Sequence, residues 1–269
     1  MKKLLISIPN YGSGSLHHLN RVINEFKSYK EFDVTVIVHT TVDLNIDEIN
    51  VIKYPESIGM LLAFQHRHVF HQKANDFDLF LTCENDILIK EDTIKTFVKH
   101  DRILPQDTCL GFLRFEFKND DYDNIYFLEL NPWYGEPIKS KNIPIENSVY
   151  FEVANICQGC WLLSKEKLKV AMSSDSFLKE VANLEIAVCG IFKDWNGNIR
   201  KVLPQNIEDL QRCAIHHLSN KYINGHPLIH MENPPYTFTT LLNKLQMIES
   251  PHTLNDYNYE QNINYNSPP

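Results

Sequence analysis

Strand and helix signals alternate along residues 1–105, and this alternation constrains the fold more than any other feature of the chain. Short apolar runs typical of buried strands cover residues 4–8, 33–39, 50–54 and 77–83. Amphipathic stretches typical of helices cover residues 15–30, residues 57–74 and a segment that begins at Glu91. Strands that alternate with helices in this way form a parallel sheet with helices on its faces. We therefore predict an α/β fold with a Rossmann-like, mixed and mainly parallel sheet flanked by helices.

The chain has 269 residues and no linker that would divide it, so we predict a single domain over residues 1–250. Residues 1–105 carry most of the strand-end polar groups, and residues 106–250 form a second half. That half contains an expected strand at 109–117, a long polar loop at 118–148, a strand pair or strand–helix unit at 149–169 and a helix at 238–248. Residues 251–269 are rich in Asn, Tyr and Pro and are expected to form a C-terminal tail.

Charge and hydropathy exclude two classes of partner. The formal net charge is −8, which argues against a nucleic-acid-binding surface because phosphate neutralisation needs clustered Lys and Arg. No apolar run is long enough for a transmembrane segment, and residues 1–12 are interpreted as a first strand rather than an export signal. The six cysteines lie in apolar segments, as in a reducing compartment. We expect a cytoplasmic protein; peripheral association with a membrane would need no spanning segment.

Two acids, Glu84 and Asp86, directly follow the apolar run at residues 77–83. Residues 87–89 then resume the apolar pattern, which is unusual for a solvated turn. In open α/β sheets ligands bind outside the carboxyl ends of the strands. A carboxylate pair at that place would hold a hard cation and the phosphate groups bound to it. The alternative interpretation is an ordinary Asn-Asp turn between two strands.

Polar residues also follow the first two predicted strands, and all these strand ends would face one crevice. The candidates for nucleotide contacts are Pro9, Asn10 and Tyr11 after the first strand, His39, Thr41 and Asp43 after the second, and Asn85 between the two acids. The first group could shape a turn around a nucleotide base, and the second could hydrogen-bond base or ribose. Plain loop chemistry explains each of the first two groups when it is taken alone, and their coincidence with Asp86 is what favours a binding site.

Residues 78–89 (Asp-Leu-Phe-Leu-Thr-Cys-Glu-Asn-Asp-Ile-Leu-Ile) resemble the Asp-x-Asp region of nucleotide-sugar-dependent glycosyltransferases of the GT-A fold. Three further segments are similar to that family: residues 158–165 (Gln-Gly-Cys-Trp-Leu-Leu-Ser-Lys), 183–185 (Asn-Leu-Glu) and 215–222 (Ile-His-His-Leu-Ser-Asn-Lys-Tyr). The resemblance covers roughly residues 2 to 225. It implies a GT-A-like fold and a hexosyltransferase-type activity, with residues 1–105 as the nucleotide-sugar-binding half and residues 106–250 as the acceptor half.

The resemblance also implies a set of site residues. Asp86 would hold a divalent metal, Mn²⁺ or Mg²⁺; Glu84 stands where the family has the first Asp and would assist. His217 or His216 would supply a further ligand, with His217 preferred. Glu185 would be the catalytic base of an inverting reaction that moves a sugar from a nucleotide diphosphate donor to a hydroxyl acceptor. The acceptor, whether a glycan, a lipid-linked molecule or a protein, is not identified by the sequence.

Two further groups were weighed for ligand contacts. His66 and Arg67 lie on the predicted helix before the acidic strand, where a cation could contact a diphosphate. Trp133 and Tyr134 lie in the aromatic-rich stretch at residues 118–148 and could stack on a sugar. The alternative for the aromatic pair is a satellite hydrophobic cluster under a long loop.

Three alternative functions or sites stay open at the level of sequence. Cys157-x-x-Cys160 together with Cys213-x-x-His216 has the spacing of a zinc site. A sugar nucleotidyltransferase would share the strand-end metal chemistry but needs a Gly-rich loop, of which Ser13-Gly14-Ser15 is a poor version. A non-catalytic carbohydrate-binding protein could use the same aromatic residues.

Overall fold

The structure is a computed structural model that describes residues 1–117, 125–127, 138–153 and 159–223. Its strands are β1 (Lys2–Asn10), β2 (Phe32–Thr40), β3 (Asn50–Lys53), β4 (Leu79–Cys83), β5 (Ile87–Leu88), β6 (Thr108–Leu110), β7 (Leu113–Phe117), β8 (Ile125–Phe127), β9 (Ile138–Ile145), β10 (Ser148–Val153), β11 (Cys160–Ser164), β12 (Arg200–Pro204) and β13 (Ala214–His217). Its α-helices are α1 (Leu16–Lys27), α2 (Gln65–Lys73), α3 (Glu91–Asp101), α4 (Lys165–Met172), α5 (Leu184–Cys189) and α6 (Ile207–Arg212). Short 3₁₀ helices cover Glu56–Phe64 and Lys193–Trp195.

The first sheet has the strand order β11-β4-β1-β2-β3. Its pairs β1–β2, β1–β4 and β2–β3 are parallel, and only β11 runs antiparallel to its neighbour β4. The predicted α/β class and the mixed character of the sheet are therefore confirmed. The carboxyl ends of β1, β2 and β4 lie at the same edge of this sheet, because parallel neighbours end on the same side.

The other described strands form two smaller sheets, with the orders β6-β12-β10-β9 and β5-β13-β7-β8. Each of them combines one parallel pair with two antiparallel pairs. The described strands therefore form more antiparallel pairs than a single, mainly parallel sheet would have. In the third sheet β13 lies between β5 and β7, and this order determines the geometry of the candidate site.

A common hydrophobic core packs against the sheets. Leu79, Phe80 and Leu81 of β4 are fully buried, as the continuous apolar run predicts for a central strand. Helix α1 buries a stripe formed by Leu19, Val22, Ile23 and Phe26. These residues recur at three- and four-residue spacing, which is why this segment forms an amphipathic helix. The core holds the loops at the sheet edge on a rigid support.

Three sequence-based boundaries differ from the structure. The helix expected at residues 57–74 is broken, because Gly59 adopts φ 51° and ends the helical geometry within the 3₁₀ segment before α2 begins. The strand expected at residues 109–117 is two strands, β6 and β7, which belong to different sheets. The expected loop at 118–148 contains β8 and β9. The predictions for residues 238–248 and 251–269, and those for Trp133, Tyr134 and Cys157, lie outside the described residues.

Among the helices of the described segments, none combines the length and the apolar character needed to cross a membrane.

Candidate metal centre

Glu84, Asp86 and His217 come together at the carboxyl end of β4. One ligand atom from each of these three residues lies within 4.8 Å of the other two. Asp86 and His217 are buried and Glu84 is half-buried. Two carboxylate oxygens and an imidazole nitrogen at this spacing form a donor set that can bind a divalent cation.

Strand pairing explains how residues distant in sequence meet at this point. Strand β13 runs antiparallel to β5, with His217 opposite Ile87. The backbone N–H of Leu218 extends this pairing by donating to the carbonyl of Asp86 at 2.8 Å. Asp86 is therefore held beside His217 by backbone hydrogen bonds, and the position of its side chain does not depend on a flexible loop.

The His217 ring is hydrogen-bonded at both nitrogens. Nε2 lies 3.1 Å from Oδ2 of Asp86 and 3.0 Å from the hydroxyl of Ser219. Nδ1 lies 2.5 Å from Oε1 of Glu116, a fully buried residue on β7. Glu116 is not among the site residues predicted from the sequence. A signal was present: residues 113–117 read Leu-Arg-Phe-Glu-Phe, so the polar side of this buried strand consists of charged residues.

The charges of this cluster act on one another strongly. Burial on its own would raise the pKa of Asp86, but the hydrogen bond and the charge of His217 outweigh burial and hold that pKa at about 2. Burial lowers the pKa of His217, whereas its hydrogen bonds to Asp86 and Glu116 outweigh this effect, so the net shift is upward. The Asp86 carboxylate and the protonated His217 ring therefore stabilise each other's charged forms.

Gly159 packs directly against the carboxylate of Glu84. Its φ is +64°, and a Cβ atom at this position would lie 3.0 Å from the Glu84 carboxylate. Its carbonyl accepts the backbone N–H of Glu84 at 2.8 Å. A side chain at residue 159 would be strained by the backbone conformation and would displace Glu84, so glycine is required here on two counts.

The ends of β1 and β2 join the Glu84–Asp86–His217 cluster through a chain of hydrogen bonds. The side chain of Asn85 donates to Oδ1 of Asn10 at 2.7 Å, and the Asn10 amide donates to the Thr40 hydroxyl at 3.3 Å. The hydroxyl of Thr41 accepts the backbone N–H of Gly12 at 2.9 Å. Asn10, Thr41 and Asn85 thus lie together next to Asp86, as the strand-end argument predicts.

The other strand-end candidates have different surroundings. Pro9 is half-buried within β1, and Tyr11 is exposed over 58% of its surface, with its hydroxyl donating to the carbonyl of Glu56 at 3.4 Å. Asp43 forms an exposed ion pair with Lys53 at 2.7 Å. Tyr11 and Asp43 are therefore the exposed members of this group, and Asp43 is already paired with Lys53.

Besides Asn10 and Thr41, three more predicted cofactor-binding residues are buried within the protein. His39 contacts the hydroxyls of Ser7 and Tyr54, and burial lowers its pKa to about 4. His66 is 1% exposed and its Nδ1 contacts the carbonyl of Ala63 at 2.7 Å.

Arg67, the third of these residues, donates to the backbone carbonyls of residues 176, 177, 186 and 187. Its guanidinium also lies 4.8 Å from the centre of the Phe64 ring. Burial lowers the pKa of Arg67 to about 10. The donors of Arg67 are used to hold α5 and the segment before it, so the structure does not bring this residue to the acidic cluster.

Glu185 lies in the first turn of α5 and is half-buried. The helix begins at Asn183, whose side chain accepts the backbone N–H of Ile186 at 3.0 Å. Burial raises the pKa of Glu185, and the positive charge of Arg114 on β7 opposes that shift. Arg114 also acts on the pKa of His217, so it links the surroundings of Glu185 to those of the metal cluster.

His216 is separated from the cluster by the alternation of side chains along β13. Its ring stacks on Phe115 at a centroid distance of 5.2 Å, and its Nε2 lies 3.4 Å from the side-chain oxygen of Asn220. Burial lowers its pKa to about 4. Within the described part of the chain, Cys160, Cys213 and His216 do not form a group of ligands within reach of one another, as the zinc alternative would require.

Helix α1 contributes a basic side chain that the sequence analysis missed. His18 is half-buried and close enough to Asp86 and His217 for their charges to affect its pKa, which burial and neighbouring His17 lower. The apolar stripe of α1 indicates which face packs on the sheet, but it gives no sign that the helix passes beside the ends of β4 and β13.

No protein-family model matches the chain, and no curated protein matches its sequence. Similarity to known proteins therefore assigns no family and no activity. The function must be inferred from the geometry of the described residues.

Proposed function

We propose that this protein is a metal-dependent, hexosyltransferase-type glycosyltransferase of GT-A-like fold. It would transfer a sugar from a nucleotide diphosphate donor to a hydroxyl acceptor with inversion. The observation that carries the proposal is the Glu84–Asp86–His217 cluster at the carboxyl end of β4. Ligands of open α/β sheets bind at this edge, and the polar ends of β1 and β2 adjoin the cluster.

The donor set fits a hard or borderline divalent ion. Carboxylate oxygens suit Mg²⁺ and Mn²⁺, and the imidazole nitrogen of His217 favours Mn²⁺ of the two. Asp86 and Glu116 share His217 as their ion-pair partner, and no Lys or Arg pairs with either acid among the described residues. Glu84, Asp86 and His217 would hold the ion, which would stabilise negative charge on the departing diphosphate.

The donor nucleotide would lie along the ends of β1 and β2. Asn85 is half-buried next to Asp86, and its amide can hydrogen-bond a ribose or a base. The side chains of Asn10 and Thr41 are buried; they bond to Asn85 and to the Gly12 N–H and would shape this edge for the donor. The exposed ring of Tyr11 offers a flat surface on the same segment. Such contacts orient the donor so that its sugar–phosphate bond faces the acceptor side.

Glu185 is the proposed catalytic base. Its carboxylate would accept the proton of the acceptor hydroxyl while the acceptor oxygen bonds to the anomeric carbon and the bond from that carbon to the diphosphate oxygen breaks. The products are an inverted glycoside and a nucleoside diphosphate. Burial raises the pKa of Glu185, which makes its carboxylate a better proton acceptor than a solvated one.

The test is turnover of nucleotide sugars by the purified protein with and without Mn²⁺, scored as nucleoside diphosphate released. Asp86→Asn keeps the size of the side chain and removes its charge. We expect its rate to fall at least ~100-fold, since a metal ion contributes several kcal/mol to the stabilisation of transition-state charge. Asp209→Asn is the matched control, because Asp209 is also a buried acid paired with a histidine but lies on α6, where it contacts α3.

A Mn²⁺-dependent rate that is lost in Asp86→Asn and retained in Asp209→Asn would support the proposal. An undiminished rate in Asp86→Asn would refute the role of the cluster. Formation of a nucleotide sugar from a nucleoside triphosphate and a sugar phosphate would indicate the nucleotidyltransferase instead. Glycan binding without turnover and without dependence on nucleotide would indicate the carbohydrate-binding protein.

A further inference from the structure

Glu116 contacts His217 on the side of the ring opposite Asp86. Strand β13 lies between β5, which follows Asp86, and β7, which carries Glu116. The pairing of β13 with β7 sets His216 beside Phe115, and those two rings stack on one side of the sheet. His217 and Glu116 are the next residues of the two strands, so they share the opposite side.

The environment of Glu116 compensates its burial. A fully buried carboxylate is strongly destabilising unless hydrogen bonds replace its hydration. Glu116 is 0% exposed and accepts the backbone N–H groups of Tyr222 at 3.1 Å and Ile223 at 2.8 Å, besides its contact with His217. Because a carboxylate only accepts hydrogen bonds, Nδ1 of His217 carries a proton in this contact. By the same rule Nε2 carries a proton in its contact with Asp86, and a bound metal ion would take the place of that second proton.

We infer that Glu116 is a positioning residue for the metal centre, an inference that rests on the metal site of the proposed function. It fixes the ring orientation and the Nδ1-protonated tautomer of His217, so that Nε2 is directed at the space between Asp86 and Glu84. The outer hydrogen bond of a metal-bound histidine commonly has this role, and its loss weakens metal binding about 10- to 100-fold. Glu116 also holds the backbone of residues 222 and 223 beside His217, because it accepts their N–H groups.

The test measures Mn²⁺ affinity from the electron paramagnetic resonance signal of free Mn²⁺, with no turnover required. The proteins are the wild type, Glu116→Gln, His217→Ala and the double variant. Glutamine keeps the shape of Glu116 but removes its charge and replaces one acceptor oxygen with an NH₂ donor. We expect Glu116→Gln to weaken Mn²⁺ binding about 10- to 100-fold in the wild-type background.

The double variant separates positioning from a purely structural role. If Glu116 acts through His217, then Glu116→Gln has no further effect on Mn²⁺ affinity once His217 is alanine. Asp209→Asn serves again as the control, since it disrupts a second buried pair of acid and histidine that is not part of the cluster. We expect it to lower the melting temperature without changing Mn²⁺ affinity. If Glu116→Gln does not fold, Glu116→Asp takes its place in the cycle.

Two results would overturn the inference in distinguishable ways. Mn²⁺ affinity that is equal in the wild type and in Glu116→Gln would refute the positioning role alone, as would an equal loss in both His217 backgrounds. Absence of saturable Mn²⁺ binding to the wild type would refute the metal site itself, and the positioning role with it.

Discussion

Two buried histidines in this protein bond at both ring nitrogens, yet their surroundings differ in charge. His217 lies between Asp86 and Glu116, with Glu84 beside them. His100 lies between Asp209, at 3.0 Å from its Nε2, and the Tyr150 hydroxyl, at 2.7 Å from its Nδ1. Asp209 is also paired with Lys99 at 2.7 Å, so the acid near His100 already has a full countercharge.

The pKa values of the two histidines shift in opposite directions. Burial lowers the pKa of His100, and the attraction of Asp209 does not reverse that shift. For His217 the two acids outweigh burial and raise the pKa. The comparison suggests that the His100 cluster is charge-balanced and serves the packing of α3 on α6, whereas the His217 cluster has excess negative charge that a cation would relieve.

The strongest test of this contrast replaces each of the two histidines in turn with alanine. His217→Ala removes a proposed ligand and should weaken Mn²⁺ binding roughly 100-fold or more, since even the loss of an outer hydrogen bond costs up to about that factor. His100→Ala should leave Mn²⁺ affinity unchanged and lower the free energy of unfolding by roughly 3 kcal/mol, because it opens a cavity and leaves the buried Tyr150 hydroxyl without its partner. Titration with Mn²⁺ and urea denaturation give both values for each variant.

The contrast would fail if His100→Ala weakened Mn²⁺ binding as much as His217→Ala does. It would also fail if His217→Ala changed stability alone and left Mn²⁺ affinity at the wild-type value.

His39 supplies a third case, in which the partners are neutral. Its contacts are the hydroxyls of Ser7 and Tyr54, and burial lowers its pKa from 6.5 to about 4. A base with a lowered folded-state pKa stabilises the fold fully above pH 6.5, and this contribution is lost as pH falls through 6.5 towards 4. The loss is about 1.4 kcal/mol per pH unit, or roughly 2 kcal/mol at pH 5.

His39→Gln keeps hydrogen-bonding groups at this position and removes the titration. Denaturation at several pH values should therefore give the variant a shallower decline in stability between pH 6.5 and pH 5 than the wild type. Parallel curves for the two proteins would mean that burial in the fold does not lower the pKa of His39.

The smallest expected effect comes from Lys99, the countercharge of the His100 cluster. Its side chain is 62% exposed, so Lys99→Met should change the free energy of unfolding by less than about 1 kcal/mol. The charge of Lys99 contributes to the lowered pKa of His100, so that pKa should rise in the variant. Titration of the His100 ring by NMR gives the pKa; a fall or no change would show that Lys99 does not balance this cluster.

Much of the first sheet could be predicted because its signals are local. The apolar runs of β1, β2 and β4 and the stripe of α1 follow the periods of strands and helices, and the structure has these elements within a few residues of the expected bounds. The break at Gly59 was missed because the apolar pattern continues across it. The division of residues 109–117 between β6 and β7 was missed because a continuous apolar run gives no sign of a change of sheet.

The residues of the candidate site also fall into two groups: those that the sequence predicts and those that it does not. Glu84, Asp86 and Asn10 could be found because strand ends in a parallel sheet share an edge. Side-chain alternation on β13 separates His217 from His216, but sequence alone cannot say which side faces the acids. Glu116 was missed because its partner lies about a hundred positions away on a neighbouring strand. The sequence shows the charge of Arg67, so a contact with phosphate was predicted. It does not show the four backbone carbonyls that use the donors of Arg67 in the fold.

The central claim is that Glu84, Asp86 and His217 form a metal centre, and anomalous diffraction from crystals grown with Mn²⁺ tests it most directly. We predict one strong anomalous peak, bonded to an oxygen of each carboxylate and to Nε2 of His217, with Nδ1 of His217 still hydrogen-bonded to Glu116. The peak should disappear in crystals of Asp86→Asn grown in the same way. A map with no peak between these three residues, or with its main peak elsewhere on the chain, would contradict the claim.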